Sequence, residues 1–206
     1  MLIKILSTFS VITIMLLLRS IVEIFPSLMA CLSRSKECFN LESSVKLNRD
    51  RDLVAWSMIL PFCLAIYRFN LTGTGFMYNF NENIRLGALI CLFALYILFR
   101  NTVFHLFRPQ KMPKKTYITA GNAAHTYFII LTLIMLATGG AMTLIGVDPA
   151  VITTAIIWIS AGIYCIFLLR KLQIFMTSCS VFAAFLYLCA LEIIPTGTLV
   201  VSVIIF

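Results

Sequence analysis

The sequence predicts an all-α, polytopic transmembrane helix bundle, and three observations carry that reading. Of 206 residues, 61% are apolar and only 12% are charged, with a mean hydropathy of +1.02, well outside soluble composition. The apolar residues gather into six runs, most of them long enough to cross a hydrocarbon core of about 30 Å. The basic residues between those runs fall almost entirely on alternate sides. One integral membrane domain over residues 1–206 is expected, since six crossings at about 20 residues each leave little chain for anything else.

The first run covers residues 2–18. With Lys4 ahead of it, it imitates a secretory signal, but no small-x-small cleavage site follows. Arg19 and Glu23 also interrupt the approach to Leu28-Met29-Ala30-Cys31, a poor lipoprotein box. It reads as an uncleaved first span. Residues 19–52 form the longest polar connection. Within it Ile21, Phe25, Leu28, Met29 and Leu32 recur at helical spacing, which predicts an amphipathic helix on the inner leaflet with Pro26 near its start.

The second span is expected over residues 53–67. The first two spans are short, so Arg19 and Arg68 are expected to extend their stems toward the headgroups. The loop over residues 70–85 is rich in turn formers and aromatics and predicts a folded connection at the interface. Spans three to five follow over residues 86–104, 125–145 and 150–169, and a sixth starts near residue 178. Between spans four and five, Val147-Asp148-Pro149 predicts a tight turn with Asp148 capping the next helix.

The connection over residues 19–52 holds six basic and five acidic residues. The next connection on that side holds Arg100, Arg108, Lys111, Lys114 and Lys115, and the last holds Arg170 and Lys171. Only Lys4, Arg68 and Arg85 lie opposite. The positive-inside rule then places both termini away from the cytoplasm. Arg108, Lys111, Lys114, Lys115, Arg170 and Lys171 become the expected contacts with anionic lipid of the inner leaflet. This placement also accounts for the excess of sixteen Lys and Arg over eight Asp and Glu without nucleic acid.

Glu192 is the most informative single residue, because a carboxylate in an apolar helix costs several kcal/mol unless it is paired, protonated or hydrated. Pro195, three places on, removes the amide that would bond the Leu191 carbonyl, which predicts a kink. Together they make a candidate intramembrane polar site for a proton or cation. An interhelical ion pair with Arg68, Arg85 or Arg100 is the favoured reading. Counting from Arg170 and Lys171 places Glu192 roughly 30 Å along the chain at about 1.5 Å per residue, toward the outer interface. Gly139, Gly140 and Gly162 remove side-chain bulk at single heights and predict close packing of the fourth and fifth spans.

His105 and His125 flank the basic loop, but no carboxylate or cysteine lies at ligand spacing, so no haem or metal is expected. Seven cysteines lack the paired spacing of zinc or iron-sulfur sites. No serine triad, phosphate-binding glycine loop or HExxH pair is present, and no cofactor or enzymatic activity is expected.

The run Leu-Leu-Arg-Lys-Leu-Gln-Ile-Phe from Leu168, then Phe-Leu-Tyr-Leu-Cys-Ala-Leu-Glu-Ile-Ile-Pro ending at Pro195, resembles the closing signature of an uncharacterised domain-of-unknown-function family of small multi-span inner-membrane proteins of Bacteroidota. Asn48-Arg49-Asp50-Arg51-Asp52 and the six-span plan are similar too. This chain departs by ending in Thr196-Gly197-Thr198 and an apolar tail rather than a basic terminus. The resemblance implies that Arg170, Tyr187, Leu191, Glu192 and Pro195 are family features and that the chain sits in a bacterial inner membrane. The expected function is a non-enzymatic subunit or scaffold that binds lipid and other integral membrane proteins, within an envelope or protein-export complex. The alternative is a small proton- or ion-coupled transporter centred on Glu192.

Overall fold

Residues 2–18 contain no proline or glycine, and the helix that they start propagates beyond them. In the computed structural model, which describes residues 2–72, 81–106 and 113–205, α1 spans Leu2–Ser33 without a break. Half of the loop predicted over residues 70–85 (residues 73–80), together with Arg108 and Lys111, lies outside the described residues. At about 1.5 Å per residue α1 is about 48 Å long, more than a hydrocarbon core requires. The amphipathic helix expected on the leaflet is therefore the second half of α1. Ile21, Ile24, Leu28 and Cys31 form its buried stripe, in one cluster with Val54 and Met58. Pro26 lies inside this helix rather than at its start, on the exposed side, where losing the bond to the Val22 carbonyl costs least.

Two short helices follow, α2 (Ser35–Ser43) and α3 (Val45–Ser57), and then α4 (Ile59–Arg68). The predicted second span is divided between α3 and α4 at Met58. Pro61 supplies no amide for the Ser57 carbonyl, whereas Met58 and Phe62 keep their bonds to Val54 and Met58 at 3.0 Å each. The break is thus one turn wide.

The remaining helices are α5 (Glu82–Leu106), α6 (Lys114–Ile145), α7 (Pro149–Met176), α8 (Val181–Leu188) and α9 (Ile194–Ile205), with a π-turn at Cys189–Ile193. Among the described residues there is no strand. Five helical stretches are long and apolar enough to cross a membrane: Ile3–Ser33, Asn83–Leu106, Lys114–Ile145, Pro149–Met176 and Val181–Ser202. The chain is all-helical and has the make-up of a multi-pass membrane protein.

Helices α6 and α7 form an antiparallel hairpin. Gly146 closes α6 with φ of 78°, a left-handed conformation that a Cβ disfavours. Asp148 caps α7, accepting from the Ala150 amide at 3.0 Å with Pro149 at the first helical position, as its place in the sequence predicts. The chain then reverses over residues 177–180, and Ser180 caps α8.

The three glycines predicted to pack helices behave differently from one another. A Cβ on Gly139 would overlap the ring of Phe69, at the end of α4, so this glycine admits that ring and not the backbone of α7. Gly140 and Gly162 face open space, and their expected packing role is corrected accordingly. Gly121, which the sequence reading passed over, admits the Phe104 ring of α5. Gly139→Leu is expected to lower thermal stability in detergent by about 1–3 kcal/mol through overpacking, while Gly140→Ala leaves it unchanged or raises it. Equal melting shifts for the two variants would remove the role assigned to Gly139.

Candidate functional site

Glu192 lies in the π-turn, a widened helical turn that often marks functional positions. Pro195 is the local cause. It leaves the Leu191 carbonyl without its usual donor, and the chain adapts by bonding the Ile194 amide to the Cys189 carbonyl, five residues back. The expected kink is realised as this bulge. The Glu192 carbonyl accepts from the Tyr164 hydroxyl at 3.4 Å.

Arg100 is the candidate partner that reaches the Glu192 carboxylate. Its Nε donates to Oε2 at 3.2 Å and its Nη2 to Oε1 at 2.9 Å, a two-pronged contact of the kind that guanidinium geometry favours. Lys171 also bonds Oε1. It is fully buried, with Glu192 only 2% exposed, and its ammonium lies 5.7–5.9 Å from the ring centres of Phe104, Phe167 and Phe175, within cation–π range.

Lys171 is therefore not an inner-leaflet contact. Helical side chains lean toward their own N-terminus. In α7 that direction leads away from the turn at 177–180, and in the returning helix it leads back to it, so Lys171 and Glu192 approach each other. The count of about 30 Å failed because it ran through a reversal. Arg170, half-buried, also has partners within the chain: its Nε donates to the Leu32 carbonyl at 2.9 Å and its Nη1 to Gln173 Oε1 at 2.8 Å. It thereby satisfies one of the unpaired carbonyls at the C-terminal end of α1. Lys114 and Lys115 stay exposed at the start of α6. Arg68 is exposed at the end of α4 and Arg85 sits near the start of α5, and neither bonds Glu192 among the described residues.

The ion cluster forms one wall of a cavity of about 210 Å³ between α3–α4, α5, α6, α7 and the π-turn. Its apolar floor is the aromatic trio Phe62, Phe93 and Phe128, with ring centres 5.0–5.7 Å apart. Its polar rim includes Arg100, Tyr96 and His125, and the Tyr96 hydroxyl lies 3.3 Å from that of Thr196.

A second polar network, centred on the buried Arg51, faces the cavity through His125. On α3 the residues Asn48, Arg51 and Asp52 share one face by their spacing of three and four. Arg51, 1% exposed, bonds Glu42 of α2 at 3.0 Å and Asp52 at 2.8 Å, and it also bonds Asn48. From α6, Asn122 donates to Glu42 at 2.8 Å and His125 Nδ1 lies 2.9 Å from Asp52. Helix α6 begins at Lys114, so His125 stands about three turns inside it rather than beside the basic loop. His105 is exposed at the end of α5, and no group of three potential metal ligands occurs among the described residues.

Burial opposes the charge on Asp52, but the hydrogen bonds from His125 and Arg51 outweigh it and hold the carboxyl below the usual aspartate range. Because the folded value is depressed, this contribution is complete above the ordinary value of about 3.9 and is lost as pH falls through the folded value. Wild type is therefore expected to lose more thermal stability than Asp52→Asn between about pH 6 and about pH 3. Equal losses in parallel melts would show that the contact carries no such linkage.

The sequence reading missed Arg51, Asp52 and Glu42 as a constellation. The available signal was the spacing of 48, 51 and 52 next to apolar 54, 55 and 58, which puts an arginine on a core-facing stripe. No family model, curated protein or solved structure matches this chain.

Proposed function

We propose that the chain is a non-enzymatic, multi-pass subunit of the bacterial inner membrane that works by binding other integral membrane proteins within an envelope or export assembly. The observation that carries this reading is the N-terminal half of α1. Between residues 3 and 18 only Ser10 is buried, and Ile5, Phe9, Ile12, Met15 and Leu16 are each more than half exposed. A helix that spends its first turns outside its own bundle, with large apolar side chains exposed along them, offers an intramembrane surface to a neighbour. The inner-membrane assignment rests on the resemblance to the Bacteroidota family. In this reading residues 53–67, the last turn of α3 together with α4, act as one bent crossing between α1 and α5 with Asp52 outside it, which gives six spans and, with the charge alternation, both ends of this chain outside the cytoplasm.

The carrier reading has the cavity and the π-turn in its favour. Against it, both Glu192 oxygens are already engaged by two cations, which makes the carboxylate a lock between helices. Purification from native membranes in mild detergent decides between the two. Stoichiometric integral membrane partners, lost on truncating the first turns of α1, are the expected result. A partnerless protein whose proton flux in liposomes vanishes with Glu192→Gln would overturn it. Tags on the two ends that prove reachable from the cytoplasm would overturn the six-span arrangement.

A further inference from the structure

We infer that the cavity between α3–α4, α5, α6 and α7 is a binding site for a single-chain amphiphile with a carboxylate head, its head on Arg100 and its chain over Phe62, Phe93 and Phe128. Three observations carry this, and none depends on the subunit reading above.

The first is charge. The cluster on the cavity wall sets two cations, Arg100 and Lys171, against one carboxylate, Glu192. A net positive charge away from water is costly, and an anion supplied by a ligand relieves it. Across the cavity Asp52 cannot serve, because Arg51 and His125 already hold it.

The second is donor geometry. Arg100 uses Nε and Nη2 on Glu192, and its Nη1 has no hydrogen-bond partner among the described residues. The Arg100 side chain is 20% exposed, against 0% for Lys171, and of the two cations only Arg100 lines the cavity, beside Glu192, so Arg100 is the cation of the cluster that a ligand can touch. A guanidinium with one free edge matches a carboxylate oxygen.

The third is shape. The volume of about 210 Å³ exceeds the roughly 150 Å³ of a cavity that takes benzene. The floor is aromatic and aliphatic, with Leu131 and Leu199 beside the phenylalanines. Trp56, 60% exposed, also lines the cavity, within reach of a bound chain and of the bilayer. A pocket that is apolar over most of its surface, with a few convergent donors at one end, is the usual form of an amphiphile site.

The two tryptophans, Trp56 and Trp158, give a direct readout, since Trp158 lies outside the cavity on the exposed side of α7. In Trp158→Phe protein reconstituted in nanodiscs, Trp56 fluorescence is titrated with a ten-carbon acid and with the matching ten-carbon alcohol, both dibrominated near the chain end. Saturable quenching by the acid, at a concentration at least ten-fold lower than for the alcohol, is expected. Arg100→Gln should collapse that ratio to less than two-fold while quenching by the alcohol persists. Quenching that rises without saturation for both probes would mean simple partition into lipid and overturn the site. Equal saturable binding of acid and alcohol in wild type would overturn the carboxylate head, and this comparison stands even where Arg100→Gln fails to fold.

Discussion

Replacing Glu192 by glutamine is expected to destabilise the protein by about 3–5 kcal/mol, the cost of breaking a buried ion pair and stranding its partner. The size follows from what remains. Glutamine fills the same space and can still accept a hydrogen bond, yet Arg100 and Lys171 become two buried like charges with no counter-ion. Lys171→Met gives the informative contrast. It removes one cation, leaves Arg100 and Glu192 as a neutral two-pronged pair, and keeps an unbranched apolar stem among Phe104, Phe167 and Phe175. Its cost is therefore expected to be well under half as large. Thermal unfolding in detergent and membrane abundance both report this order. If the lysine variant proves the more damaging of the two, the cluster is held by the lysine–aromatic contacts and not by charge balance.

Arg51→Gln is expected to cost about 3 kcal/mol, the lower end of what stranding a buried ion costs, because Asp52 keeps His125 and some water. Glu42 loses its cation and retains only the amides of Asn48 and Asn122. Since Arg51 is what ties α2 and α3 together beside α6, the loss should appear as faster amide exchange across Ser35–Ser43 and Val45–Ser57 before global unfolding. Arg51→Lys should recover only part, because an ammonium cannot spread donors over Glu42, Asn48 and Asp52 at once. Unchanged exchange in those two helices, with the protein otherwise folded, would mean that α2 and α3 are held by Leu41, Val54 and Met58 alone.

The helical class, the membrane-spanning composition and the α6–α7 turn were legible in the sequence, because each rests on local physics. Long apolar runs have no alternative but a helix or a closed barrel in lipid, and an Asp-Pro pair such as Asp148-Pro149 caps and opens the next helix through its own side chain and fixed φ. Glu192 also stood out locally, as an acid in an apolar helix. Its partners did not. By sequence alone Arg100 is one of three candidates and Lys171 reads as a lipid contact, since pairing across 21 or 92 residues depends on how helices reverse and pack. The same holds for Gly139 against Phe69, for Arg170 at the end of α1, and for the division of the second span. Where the chain stops being helix is written in neighbouring residues. Which charges meet, and where a cavity is left between rings, is set by contacts that form only when helices distant in sequence share one interior.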